Sequence, residues 1–439
     1  MTWWVALSSG IGLLLGLLFL GVPVFVAFLI LNVAGILALM GPAGFGLFAN
    51  SIYTTATITA LATVPLFIVM GEILFRSGAM EAVFDSLDRL VGRIRGRQYV
   101  LCILLSAIIG ALSGAAMAVA GLLGRSLLPE MRRRGYDTRL SAGTILAGAC
   151  LDPIIPPSVL AILIATLAEI STASLLIAGI VPGLLLMCLF LIYVLYRVWR
   201  DPSLAPDVVA DMADGKSKTS ATVAVLRILP CAFVFFMVMG LIMAGAATPT
   251  EAAATGVFGA IVVAVIYGRF SLRMMAEAFA TAATVSALLL VIMCCAVMFS
   301  QLLTFTGATQ AVAELIAHLD LPPVAMLFAM MALPFLLFMV LDQLALMLVL
   351  IPIYQPLLKL FAFDPIWFWT LFLIVATMGG LTPPFGYVLF ALKSAAPDLP
   401  TTEIYRASWP FVWLIALGMV ILVASPELVT FLPNLTRPE

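Results

Sequence analysis

The sequence predicts an all-α polytopic membrane protein built from two inverted-topology repeats, each with a re-entrant helical hairpin and a discontinuous helix. Three observations predict it. The 439 residues are 64% hydrophobic and only 10% charged. A stretch too short to cross a bilayer twice is bracketed by arginine clusters. A double proline interrupts an apolar run once in each half of the chain.

Soluble domains carry about 25% charged residues, so this composition, with mean hydropathy +1.22, calls for lipid as solvent. Lipid-exposed backbone must be helical or closed into a barrel, and the apolar runs are far too long for barrel strands. A net charge of −1 gives no electrostatic case for nucleic acid. The six cysteines lie in apolar runs without C-x-x-C spacing and read as small buried hydrophobes. The one histidine, His318, cannot build a metal site and reads as a surface residue. Without paired acids, a metal site or a phosphate-binding loop, neither an enzyme nor a primary pump is expected. No positive n-region precedes Trp3-Trp4, so no signal peptide is read.

In chain order, the first basic residues are Arg76, Arg89, Arg93, Arg95 and Arg97, followed by Arg132, Arg133, Arg134 and Arg139. Basic loops face the cytoplasm. Residues 98–131 therefore enter and leave on one side, with Arg125 and Glu130 toward the mouth. The stretch leaves roughly 15 residues per arm, about 22 Å of helix, where a span needs about 20 residues. It is a re-entrant hairpin with its tip at Ser113-Gly114. Before it, residues 82–94 read as an amphipathic helix along the interface. Residues 201–220, with Pro202 and Pro206, read as a water-exposed linker between two equally apolar halves.

A weak repeat relates those halves at an offset of 226–229: Pro23 to Pro249, Gly41 to Gly268, Gly78 to Gly307, Ser113 to Asp342, Pro129 to Pro356 and Asp137 to Asp364. The second copy places a hairpin over 322–360 with Asp342 at its tip. Its flanks are poor in basic residues, the charge signature of an inverted repeat. Beyond each hairpin comes the double proline, in Asp152-Pro153-Ile154-Ile155-Pro156-Pro157-Ser158 and in Gly379-Gly380-Leu381-Thr382-Pro383-Pro384-Phe385-Gly386. Proline removes a backbone donor and pushes its neighbour out of the helix. Unwound backbone at membrane depth is tolerated where it lines a cavity; freed carbonyls there bind cations, and half-helix N-termini attract anions. Two further acids need weighing. Glu251, after Thr248-Pro249-Thr250, reads as a helix-start charge. Glu72 faces either a neighbouring helix or a partner.

At Leu128-Pro129-Glu130-Met131-Arg132-Arg133-Arg134-Gly135-Tyr136-Asp137, Ile155-Pro156-Pro157-Ser158, Ala247-Thr248-Pro249-Thr250-Glu251-Ala252-Ala253 and Gly380-Leu381-Thr382-Pro383-Pro384-Phe385-Gly386 the chain resembles the large membrane subunit of the TRAP (tripartite ATP-independent periplasmic) transporters. The resemblance covers nearly the whole chain. It implies the elevator-type ion transporter fold, a bacterial inner-membrane location with a periplasmic N-terminus, and Na⁺-driven import of a small carboxylate. It also implies a small membrane subunit and a periplasmic substrate-binding protein as partners. Carried over, Na⁺ site one uses Ser113, Gly114, Asp152, Ile155 and Pro156; site two uses Asp342, Gly379, Thr382 and Pro383. With no arginine placed at a hairpin tip, half-helix dipoles and Ser158, with Pro157, Pro384 and Gly386, are left to hold the substrate. Two departures from the family pattern stand out: a first tip poor in hydroxyls, and Asp152 where the family has glycine. Asp152 either compensates as a cation ligand, makes the site proton-sensitive, or merely caps the following half-helix.

The expected domains are scaffold and arm over 1–97, hairpin and broken helix over 98–200, the linker 201–220, scaffold and arm over 221–320, hairpin and broken helix over 321–400, and a C-terminal helix over 401–439. The competing function is a stand-alone Na⁺ or H⁺ anion symporter of the same broad architecture that needs no binding protein.

Overall fold

The computed structural model describes residues 3–92, 94–113, 116–206, 221–318 and 321–436. Among them are 21 α-helices and no strand. Seven helical stretches are long and apolar enough to cross a membrane.

The first half runs α1 (Trp3–Phe19), α2 (Val24–Leu39), α3 (Phe45–Ala56), α4 (Thr63–Arg76), α5 (Ala79–Leu90), α6 (Arg97–Ser113), α7 (Ala116–Arg133), α8 (Thr138–Ala149), α9 (Val159–Leu167), α10 (Thr172–Ala178) and α11 (Ile180–Arg200). The second runs α12 (Ala221–Met243), α13 (Pro249–Ile266), α14 (Leu272–Phe305), α15 (Ala308–Ala317), α16 (Pro323–Phe338), α17 (Gln343–Leu360), α18 (Pro365–Leu381), α19 (Tyr387–Ala395), α20 (Thr401–Ala424) and α21 (Glu427–Leu435).

Local signals that recur at the repeat offset end and start the same elements. Gly78 and Gly307 both adopt left-handed φ, +77° and +70°, where α4 turns into α5 and α14 into α15. A side chain would resist that turn, so glycine belongs there. Gly135 (φ +84°) and Ala362 (φ +53°) end α7 and α17 alike. Asp137 and Asp364 then start α8 and α18, their Oδ1 atoms accepting the N–H of Leu140 at 2.7 Å and of Trp367 at 2.9 Å. The repeat is not perfect. The arm of the first half breaks between α3 and α4, whereas α14 runs 34 residues unbroken.

Both hairpins form. The 17 residues of α6 and the 16 of α16 are too short for a hydrocarbon core of about 30 Å. Lipid is as apolar as leucine, so close fit and hydrogen bonds hold the helices together. The scaffold contact of α4 with α13 closes over Gly256, where a Cβ would lie 2.6 Å from Met70 Sδ. The Thr63 and Thr250 hydroxyls meet at 2.6 Å, and Asn32 Nδ2 donates to the Cys295 carbonyl at 2.7 Å. Glu251 completes a capping box with Thr248, the structural role expected of it. Glu72 pairs with Arg76 of its own helix at 3.0 Å, and Arg76 reaches Glu277 on α14 at 2.8 Å.

At the centre, α8 and α18 are buried almost throughout. Small residues line α8: Gly143 packs under Phe411, and Gly148 under Ser106. Its counterpart is aromatic, with Trp367, Phe368, Trp369 and Phe372 all buried.

Two expectations need correction. Asp201–Pro206 is not a free linker. The Leu204 carbonyl accepts the Tyr99 hydroxyl at 2.6 Å and the Asp137 N–H at 3.1 Å, and the Ala205 carbonyl accepts Arg95 Nε at 3.3 Å. This strap binds α11 to the mouth of the first hairpin; residues 207–220 lie outside the described residues. Five cysteines are buried, but Cys188 is exposed on α11: an apolar run does not say which of its faces meets lipid.

Candidate functional site

Each hairpin's returning arm pairs with the half-helix of the other repeat. α7 lies parallel to α19: Gly124 sits against Leu392 and Ala395, and Arg132 pairs with Asp398 at the mouth, holding that carboxyl below its ordinary range. α17 packs against α9, with Gln355 Nε2 donating to the Leu167 carbonyl at 3.2 Å.

The unwound segments are held by their own residues. Ser158 caps α9, accepting the Ala161 N–H at 3.2 Å and donating to the Pro153 carbonyl at 2.5 Å. Thr382 Oγ1 donates to the Met378 carbonyl at 2.6 Å. The peptide bonds Pro156-Pro157 and Pro383-Pro384 are both cis. The carbonyls of Asp152, Ile155, Pro156 and Pro157 accept no hydrogen bond from a described residue, nor do those of Gly380, Leu381, Thr382 and Pro383. Gly386 is pressed onto two of these free carbonyls: a Cβ there would lie 2.5 Å from Gly380 O and 3.0 Å from Thr382 O.

The two carboxylates differ. Asp342 is exposed at the second hairpin tip and caps α17, its Oδ1 accepting the Ala345 N–H at 3.0 Å. Asp152 is 1% exposed, and its Oδ1 has no hydrogen-bond partner among the described residues. It does not cap the half-helix that follows it; Ser158 does. Instead its carboxylate faces the backbone N–H of Ala116, at the start of α7. So each returning hairpin arm has a carboxylate at its N-terminus, supplied by the tip in one repeat and by the break in the other. Ser113 closes α6, but its side chain and Gly114 lie outside the described residues.

Room for Asp152 comes from Gly110 on α6, where a Cβ would fall 2.8 Å from Asp152 Cβ and 2.9 Å from its Cα. The repeat partners invert this pairing: Gly379, at the place of Asp152, is packed under Phe338, at the place of Gly110. One copy pairs glycine with aspartate, the other phenylalanine with glycine.

Tyr387 covers the second break, its ring lying on Gly380. The Gln343 side chain, next to the tip residue Asp342, is buried. Sequence reading missed Tyr387, Gln343 and Gly110; only the repeat offset could have singled out Gly110. Of the remaining expected residues, Ile155 points its side chain at Gly183 on α11, Pro156 and Pro157 are buried, Pro383 is half-buried and Pro384 is exposed.

Among the described residues no group of three His, Cys, Asp or Glu side chains gathers. A cation here would meet free carbonyls plus one carboxylate, a donor set that suits Na⁺ better than a transition metal. The orphaned Asp152 Oδ1 fits such an ion.

Crossed broken helices between re-entrant hairpins define a polytopic membrane transport protein. The chain belongs to the family described as tripartite ATP-independent periplasmic transporter, DctM component, whose model matches residues 11–428. A putative TRAP transporter large permease of Haemophilus influenzae is 28% identical, covering 95% of this chain and 97% of that one. The C4-dicarboxylate large permease of Pseudomonas aeruginosa is 28% identical over 88% and 89%, and the ectoine large permease of Halomonas elongata 27% over 96% and 97%. The fold matches the crystal structure of the Alcanivorax borkumensis YdaH transporter with TM-score 0.63 at 15% identity, covering 90% of this chain and 91% of that one.

Proposed function

We propose that this chain is the large transmembrane subunit of a Na⁺-coupled, binding-protein-dependent secondary transporter that imports a small organic acid by an elevator mechanism. The observation that carries the proposal is the pair of unwound double-proline breaks whose backbone carbonyls accept no hydrogen bond from a described residue, with the buried Asp152 carboxylate in the first. Family membership supports the partners: a small membrane subunit and a periplasmic binding protein. Relatives named for C4-dicarboxylates and ectoine support a carboxylate-bearing solute.

Site one uses Asp152 with the carbonyls of Ile155 and Pro156 beside the first hairpin tip at Ser113 and Gly114. Site two uses Asp342 with the carbonyls of Gly379, Thr382 and Pro383. The Gly379 carbonyl also accepts the Thr382 N–H at 3.0 Å and keeps one lone pair for an ion. Because the Ser158 hydroxyl is spent on its own loop, Ser158 acts on the substrate through the half-helix it caps, next to Pro157; Pro384 and Gly386 do the same for α19. For the elevator, the moving unit holds both hairpins. A cleft of about 500 Å³ separates Leu122 and Ser126 of α7 from Phe75 and Phe84 on α4 and α5, the boundary along which it would slide.

Reconstitution with the small subunit and the binding protein, without ATP, tests the proposal. Uptake is expected only with an inward Na⁺ gradient and only with the binding protein present. Full uptake without the binding protein would establish the stand-alone symporter instead, and uptake indifferent to Na⁺ would remove the coupling.

A further inference from the structure

Helical spacing puts residues 276, 280, 283, 287, 294, 298 and 301 of the long helix α14 on one continuous face. Its last turns are covered by α3. The Ser51 hydroxyl reaches Met298 and Gln301, and Cys294 lies against the Ile52 carbonyl. α3 then ends at Ala56, where the first-half arm breaks. Beyond that point the face is open: Ala276, Ala280, Ala283 and Ala287 are all exposed.

Other outward faces of the scaffold are built differently. α12 and α13 present large side chains, with Phe233 63% exposed and Phe236 and Phe258 each 70% exposed. Large apolar side chains suit lipid tails. Four alanines on one face make a smooth track that lets another helix backbone approach closely.

Unmet hydrogen bonding marks the same place. Where α3 stops, a cavity of about 240 Å³ opens between Ala56 and Ile58 of the break and Ser286 and Ala287 of α14. Ser286 Oγ is buried and has no hydrogen-bond partner among the described residues. The neighbouring Thr284 hydroxyl shows the usual solution, donating to the Ala280 carbonyl at 2.8 Å. On the outer side of α3, the Asn50 amide and the Tyr53 hydroxyl are exposed and bond to no described residue. Acyl chains can fill the cavity but offer these groups no partner. A helix with a polar side chain offers one.

We propose that a transmembrane helix of the small membrane subunit docks on α14 in line with α3. A face of small residues lies on its alanine track, and a hydrogen-bonding side chain meets Ser286. This rests on the reading above that such a subunit is a partner, and adds the surface it uses. It also gives the broken arm of the first half a role: by ending at Ala56, α3 leaves the track free.

The test is site-specific photo-crosslinking in the complex, with both subunits co-expressed and the small one tagged. Benzoylphenylalanine replaces Phe279 or Leu288, exposed on either side of the track, and Phe233 or Phe258 as controls. Adducts with the tagged subunit are expected at Phe279 and Leu288 and not at the controls. Ala283→Trp should lower the amount of small subunit that co-purifies at least about fivefold. Phe258→Trp should leave it unchanged. Elution of the large subunit as a single species shows that each variant folds. Adducts at the controls alone, adducts of Phe279 or Leu288 with a second copy of this chain, or none at any position in a complex that still co-purifies would overturn the docking face and leave the partnership intact. A small subunit that never co-purifies with the wild-type chain would overturn both.

Discussion

At the residue scale, the site depends on close approaches that a single methyl group would block. Gly386 lies on the Gly380 and Thr382 carbonyls, so Gly386→Ala must push apart the oxygens of the second break. Misplacing a site by about 1 Å can cost roughly 100-fold, and maximal uptake in this variant is expected to fall by at least tenfold at unchanged membrane expression. Near wild-type uptake would show that these carbonyls need not converge. Gly110 and Asp152 form a second such contact. Gly110→Ala alone should impair uptake, because the methyl would strike both Cα and Cβ of Asp152. In an Asp152→Gly background the same alanine should be tolerated. A double-mutant cycle on thermal stability is expected to give a coupling of about 0.5–3 kcal/mol; additive effects would mean the two residues act independently.

At the scale of elements, the parallel pairing of α7 with α19 aims two N-termini at one place. Gly124 permits it: a Cβ there would lie 2.8 Å from Leu392 and 2.9 Å from Ala395. Gly124→Leu should wedge the pair open. Uptake should then fall while the complex still engages its binding protein with unchanged affinity, measurable by surface plasmon resonance. Loss of binding-protein affinity instead would point to general misfolding. The hairpins and breaks were legible in the sequence because proline, glycine and arginine punctuate the chain locally. Pairing between α7 and α19 was not, because it joins residues some 270 positions apart and leaves no periodicity behind. The docking of Asp201–Pro206 was hidden for a related reason: its bonds are made by backbone carbonyls, which every residue carries. Asp152 was conspicuous as a carboxylate in an apolar run, yet its contact with the start of α7 crosses a hairpin tip that the sequence places only approximately.

For the whole molecule, the account requires one unit to move against the other across the cleft between α7 and the arm helices α4 and α5. Cysteines at Phe84 and Ser126, both lining that cleft, should allow a bifunctional reagent to stop uptake in a background lacking the native cysteines. Uptake that continues with the pair locked would exclude sliding of hairpin one. Orientation has its own check: residues 95 and 135 flank that hairpin and should be labelled from the same membrane face. The central claim is that the breaks hold the coupling ion, and the sodium dependence of binding-protein-driven uptake in proteoliposomes tests it most directly. The account predicts saturable dependence on Na⁺ and a half-saturating concentration raised about tenfold, or about 1.4 kcal/mol, in Asp152→Gly. Superimposable sodium curves for the wild-type and variant proteins would contradict it.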